Sequence, residues 1–299
     1  MRSVPPVLAV FHHGDFDPVA LAARKAGTTV SVCLPARDEE ATVADIVSRI
    51  RRDLVDGCGL VDEVVVVDDH SSDDTAAVAA RAGARVVRAA DVLPEHGDGH
   101  GKGAAMWKSL AVAEGDIVVW CDADVVDFQS HFVTGLLGPL LTRHDIDFVK
   151  GYYERPSDDG GRGGRVTELV ARPLLALLFP HLTSVVQPLS GEYAGRRALL
   201  ERLPFVEGYG VDIALLVDVA EQAGIESMAQ VDLGTRVHRN RPLDELSPQA
   251  TAVIQTALAR AGRIVPHHAV LDRPGLAPVE VSLVERPPLA DLDDIRRHA

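Results

Sequence analysis

A chain of 299 residues, 46% hydrophobic and 25% charged, buries a sizeable core without disulfide or metal staples, which excludes a disordered chain. Its 30 Lys+Arg against 44 Asp+Glu leave a net charge of −14, which argues against general binding to nucleic acid or an anionic membrane. Cys33, Cys58 and Cys121 lack CxxC spacing, no signal-peptide core follows Met1, and the longest apolar stretch is broken by Arg172, Pro173, Pro180, His181 and Pro188, so a soluble cytoplasmic protein is expected.

In chain order, Asp17, Pro18 and Gly27 read as the cap, first-turn proline and terminating glycine of a short helix. Residues 29–34 form a β-rich run, and 39–54 carry Val43, Ile46, Val47, Ile50 and Leu54 at helical spacing. A buried strand over 64–67 ends in Asp68-Asp69, and a helix over 73–82, capped by Asp73 and Asp74, ends at Gly83. A short strand at 85–87, a helix over 101–114 and a buried strand over 117–121 follow. This alternation predicts an α/β fold, a Rossmann-like, mostly parallel sheet with helices on both faces. The second half is less regular. It reads as a strand at 148–153, a Gly/Asp/Arg loop at 156–164, helices over 166–178 and 209–223, a strand at 227–233 and a helix over 244–261. The proline- and charge-rich tail beyond Gly262 is expected to be partly disordered.

Ligands of an open parallel sheet bind outside the carboxyl ends of its strands. Here those ends carry the stretch from Pro35 to Glu40, then Asp68-Asp69-His70-Ser71-Ser72, then Asp122-Ala123-Asp124. Asp38 reads equally well as a helix cap. In extended chain Asp122 and Asp124 point to the same side, and two converging carboxylates call for a cation between them. Oxygen ligands at that spacing suit Mg²⁺ or Mn²⁺. The first turn lacks the glycines of a dinucleotide fingerprint, and the segment around Gly101-Lys102-Gly103 fails the P-loop pattern because no Ser or Thr follows Lys102. Lys102 still opens a helix behind a glycine loop, as a nucleotide contact or as a solvated lysine. The run Gly161-Arg162-Gly163-Gly164-Arg165-Val166-Thr167 offers backbone N–H groups and a guanidinium at a helix start, either a site for a small phosphorylated or carboxylated ligand or a solvated loop. His238-Arg239-Asn240-Arg241 is a second polar cluster, and its histidine reads as structural or functional with equal ease.

The three strand ends resemble those of a GT-A nucleotide-sugar glycosyltransferase. The stretches Gly164-Arg165-Val166-Thr167-Glu168, Gln187-Pro188-Leu189-Ser190-Gly191-Glu192-Tyr193-Ala194 and His238-Arg239-Asn240-Arg241-Pro242 closely resemble the actinobacterial glucosyl-3-phosphoglycerate synthases. The resemblance runs from about Phe11 to about Leu258. It implies a retaining, metal-dependent hexosyltransferase that uses UDP-glucose, 3-phosphoglycerate and Mg²⁺ or Mn²⁺ and assembles as a homodimer. Carried onto this chain, it implies that Pro35, Ala36, Arg37 and Glu39 line the uridine, with Asp69 and Lys102 nearby. Asp122, Ala123 and Arg236 belong to the same donor set. Asp124 and His238 ligate the metal. Leu189, Ser190, Gly191, Tyr209 and Asp212 surround the donor sugar, Ser190 and Gly191 also reaching the acceptor. Gly164, Arg165, Thr167 and Asn240 hold 3-phosphoglycerate. Asp122, Asp124, Asp212 and Leu189 form the catalytic set. The chain departs from the family where Asp38 replaces Asn, Asp69 replaces Ser and Asp212 replaces Glu. The expected organisation is a helical extension over 1–28, a nucleotide-sugar half over 29–150, an acceptor half over 151–262 and a tail over 263–299. The alternatives are a related transferase using GDP-mannose or GDP-glucose or another small anionic acceptor, a non-catalytic sugar-nucleotide binder, and a nucleotidyltransferase. The last would want a glycine-rich basic first turn, which this chain lacks.

Overall fold

The computed structural model describes residues 8–154, 164–236 and 242–292. In chain order the first half carries β1 (Ala9–His12), α1 (Pro18–Arg24), β2 (Val30–Ala36), α2 (Val43–Ile50), β3 (Glu63–Asp68), α3 (Thr75–Arg81), β4 (Arg85–Arg88), α4 (Lys102–Val112), β5 (Ile117–Trp120) and α5 (His131–Thr142). The second half carries β6 (Phe148–Glu154), α6 (Arg172–Leu178), β7 (Tyr193–Arg196), α7 (Arg197–Leu200), β8 (Phe205–Val206), α8 (Val211–Ala223), β9 (Met228–Thr235), α9 (Leu243–Arg260) and the tail strands β10 (His268–Leu271), β11 (Val279–Ser282) and β12 (Glu285–Arg286).

Eight strands form one sheet in the order β1-β9-β6-β7-β5-β2-β3-β4. All neighbours pair in parallel except β7, which runs antiparallel between β5 and β6. Apolar runs such as Val64–Val67 are buried on both sides because helices cover both faces. One face packs Trp107 and Leu110 of α4, Leu175 of α6, Leu215 and Leu216 of α8 and Val253 of α9. The other packs Leu21 of α1, Ile46 and Ile50 of α2, Ala79 of α3 and Leu136 of α5.

Several expectations are corrected here. The segment 1–28 is more than a helical extension, because β1 pairs with β9 at the sheet edge. The boundary at 150 falls inside β6, so one sheet draws on both halves of the chain. The tail through 292 is folded: β10 and β11 form a hairpin, and β12 pairs with β8. Its His268-Ala-Val-Leu271 and Val279-Glu-Val-Ser282 runs are each only four residues long, too short to stand out from a charged tail. Helix α5 escapes the sequence pattern because Gly135, Gly138 and Pro139 interrupt it. Those glycines admit close packing, and a Cβ on Gly138 would lie 2.3 Å from the Phe16 ring.

Helix α4, which starts at Lys102, is seated by Gly103. A Cβ there would meet the Val206 carbonyl oxygen at 1.8 Å, a backbone atom that cannot rotate away. Gly103→Ala is expected to destabilise the fold by about 1–3 kcal/mol, as overpacking does, visible as a lower midpoint in thermal unfolding. An unchanged midpoint would mean that α4 slides freely on β8.

Candidate active site

Backbone and side-chain bonds lace the three strand-end turns together. The Asp69 N–H donates to the Ala36 carbonyl at 2.8 Å. Asp38, at φ +55°, accepts the Ser72 N–H at 2.7 Å and its hydroxyl at 3.0 Å, so it ties one turn to the next and does not cap its own helix. Asp73 caps α3 through the Thr75 N–H, while the Asp74 side chain makes no capping bond. The Thr42 hydroxyl donates to the Ala123 carbonyl at 2.6 Å and brings in the third turn. Pro35 and Glu39 are half-buried, Ala36 and Ala123 buried, and Arg37 exposed.

Strand β5 ends at Trp120, so Asp122 and Asp124 lie beyond the paired strand, Asp124 in a turn. The cation they share among the described residues is a guanidinium. Arg236 places Nη1 at 3.1 Å from Asp122 Oδ2 and Nη2 at 2.9 Å from Asp124 Oδ1. The same fork donates to the Tyr153 hydroxyl at 2.9 Å and to the carboxylate of Glu192, which is fully buried. On its other side Asp122 meets Lys102 Nζ at 3.0 Å, and Lys102 also reaches Asp212 Oδ1 at 3.2 Å. That Asp212 oxygen accepts the Tyr193 hydroxyl at 3.1 Å. Burial would raise the Asp122 carboxyl, but Lys102 and Arg236 outweigh it and hold it well below the ordinary range. Burial raises Glu192 despite Arg236, and its Oε2 has no hydrogen-bond partner among the described residues. Lys150, donating to the Ser190 carbonyl at 2.9 Å and lying 4.5 Å over the Tyr193 ring, is pulled down to about 8 by burial.

The structure thus brings together Lys102, Asp122, Asp124, Asp212 and Arg236. Gly191 belongs with them, since a Cβ on it would stand 2.1 Å from Asp122 Oδ2. Ser190 is buried, its hydroxyl donating to the Gly151 carbonyl at 2.5 Å, and Leu189 packs partly buried against the core. Asp69 does not join Lys102. Its Oδ2 accepts the neighbouring Gly101 N–H at 2.8 Å. Tyr209 stands in a short turn, Gly208–Gly210, ahead of α8, and is half-exposed. Gly164 and exposed Arg165 open the helix that leads into α6, with buried Thr167 in a π-helical turn, Thr167–Ala171. His238, Asn240 and residues 161–163 lie outside the described residues. Sequence reasoning missed Lys150, Tyr153, Glu192 and Tyr193. The available signal was a lysine and a glutamate standing in or beside apolar strands, where a charge needs a partner.

The profile of glycosyl transferase family 2 matches residues 31–203. A glucosyl-3-phosphoglycerate synthase of Mycolicibacterium smegmatis is 48% identical over 283 residues, covering 91% of this chain and 92% of that protein. One from Mycobacterium tuberculosis is 51% identical over 265 residues, covering 86% and 81%. The chain belongs to the glucosyl-3-phosphoglycerate synthases. A crystal structure of the M. tuberculosis synthase with Mn²⁺, UDP-glucose and phosphoglyceric acid superposes with a TM-score of 0.87 at 47% identity, over 95% of this chain and 98% of that one. A mannosyl-3-phosphoglycerate synthase from Rubrobacter xylanophilus gives 0.86 at 40% identity, over 95% and 97%.

The described residues fit the divalent cation of these synthases. Asp122, Asp124, Asp212 and Glu192 face Lys102, Lys150 and Arg236, four carboxylates against three cationic side chains, and Asp122 and Asp124 offer hard oxygen donors. Gly191→Ala should displace the Asp122 carboxylate and weaken Mn²⁺ binding about tenfold, roughly 1.4 kcal/mol. The free-Mn²⁺ signal in electron paramagnetic resonance measures this. Wild-type affinity in that variant would remove Asp122 from the cation site.

Proposed function

We propose that this protein transfers glucose from UDP-glucose to 3-phosphoglycerate with retention of the anomeric configuration, using Mg²⁺ or Mn²⁺, in the cytoplasm and as a homodimer. The observation that carries the reading is the meeting of Lys102, Asp122, Asp212 and Arg236 beyond the carboxyl end of β5 in a chain 48% identical to a named synthase. The bond from the sugar's anomeric carbon to the diphosphate oxygen breaks, and one to the acceptor hydroxyl oxygen forms on the same face. The departing phosphate oxygen takes the hydroxyl proton, so the chain needs no dedicated base. Asp124, with His238, would hold the divalent cation, which when bound offsets charge on the leaving diphosphate. Lys102 adds fixed positive charge at the head of α4. Arg165, Thr167 and the N–H groups at the start of their helix, with Asn240, would take the acceptor's phosphate and carboxylate. Free Cys33, Cys58 and Cys121 support a reducing compartment. Exposed Leu169 and Leu177 support a subunit contact, and light scattering in solution tests it.

Mass spectrometry of products formed from 3-phosphoglycerate with UDP-, ADP- and GDP-sugars tests the reaction. Arg165→Ala should raise the acceptor KM at least tenfold with donor affinity little changed. An equal loss for donor and acceptor would give the loop another role.

A second reading, transfer of mannose from a GDP-sugar, is supported by the likeness to the Rubrobacter mannosyl enzyme. Asp212 is the residue that bears on the choice. At aspartate length one of its oxygens already serves both Lys102 and Tyr193. A carboxylate set back by roughly 1.5 Å, one C–C bond, would hold the donor hydroxyls more loosely than glutamate. Glucose transfer is expected from the wild type, with Asp212→Glu lowering the UDP-glucose KM. A wild type that ignores UDP-glucose and uses GDP-mannose would select the second reading.

A further inference from the structure

We propose that Asp69, His70 and His100 form a second cation site, one for Zn²⁺-like ions, on the loops that precede and face Lys102. One ligand atom from each residue lies within 4.8 Å of the other two. Three atoms so spaced fit inside a circle of radius no more than about 2.8 Å, so an ion at its centre needs only a modest contraction to reach ordinary Zn–N and Zn–O lengths. The glycines Gly97, Gly99 and Gly101, all at positive φ, give the loop carrying exposed His100 the freedom to make that contraction.

Asp69 and His70 are already oriented. Asp69 is buried, and its Oδ2 is fixed by the Gly101 N–H. The His70 ring has Nδ1 at 2.9 Å from Asp69 Oδ1 and Nε2 at 3.0 Å from both oxygens of Asp98, and its centroid lies 4.3 Å from that of His100. An ion bound on the Nδ1 side leaves the Nε2 bond to Asp98 as the outer carboxylate that metal-bound histidines use to fix ring orientation.

The donor chemistry separates this site from Asp122 and Asp124. Two imidazoles and one carboxylate suit Zn²⁺ or Co²⁺, whereas Mg²⁺ takes oxygen. An ion here would bind the turn after β3 to the loop ahead of α4, whose first residue, Lys102, serves Asp122 and Asp212.

The full chain, stripped with EDTA, is titrated with Co²⁺ and read by its visible d–d absorption, with Zn²⁺ binding followed by calorimetry. Three variants accompany the wild type: His100→Ala, His70→Asn and Asp124→Asn. Asparagine tolerates the left-handed backbone of His70 at φ +62°, and the exposed His100 side chain meets the His70 ring and approaches Asp98 at 3.9 Å, both contacts at the surface of the loop and away from the core. The expected result is a Co²⁺ band that persists in Asp124→Asn and is lost in His100→Ala and His70→Asn, with Zn²⁺ affinity falling at least tenfold in both. A wild type without the band, a band that survives in His100→Ala, or one that disappears in Asp124→Asn would overturn the proposal.

Discussion

The Asp122 carboxylate, shared between Lys102 and Arg236, is the contact on which the rest of the site depends. Lys102 comes from the start of α4, Arg236 from just beyond β9 and Asp122 from just beyond β5, so one anion joins three elements far apart in sequence. Arg236 is buried and costly to desolvate, while Lys102 and Asp122 keep part of their contact with water. The cluster therefore contributes geometry more than stability. Arg236 suits the central position because its planar fork can meet Asp122, Asp124 and Glu192 together, which a lysine's single ammonium cannot do in that arrangement.

The antiparallel strand β7 is what brings the second half of the chain to this cluster. Its pairing sets Tyr193 opposite Trp120 on β5, which puts Glu192 and Gly191 alongside the turn that carries Asp122 and Asp124. Gly191 is required there because the carboxylate occupies the space of a Cβ. Lys150 on β6 pairs with Tyr193 on the other side and supports both its ring and the Ser190 carbonyl. A strand of four residues thus positions buried groups from three neighbouring segments.

Glucosyl and mannosyl synthases superpose on this chain almost equally, with TM-scores of 0.87 and 0.86. The sheet therefore sets the place of the chemistry and leaves donor choice to individual side chains. Asp212 and Asp69 are each already engaged by their own protein, Asp212 with Lys102 and Tyr193, Asp69 with Gly101 and His70.

The sequence by itself determined the alternating strands and helices of the first half, the acidic strand ends and the family. Continuous apolar runs and a carboxylate pair after a buried strand are local signals, and the motif stretches are specific to few proteins. Tertiary structure alone decided that Ala9–His12 and Tyr193–Arg196 enter the main sheet, because four-residue strands carry too little periodicity to read and gain their stability from neighbours. It also decided that Arg236 lies between Asp122 and Asp124, and that Glu192 and Lys150 are buried partners of the site. No spacing rule connects residues 122 and 236. Their ion pair exists because only the packed sheet brings the two charges together, where their attraction offsets the cost of taking the Arg236 guanidinium out of water.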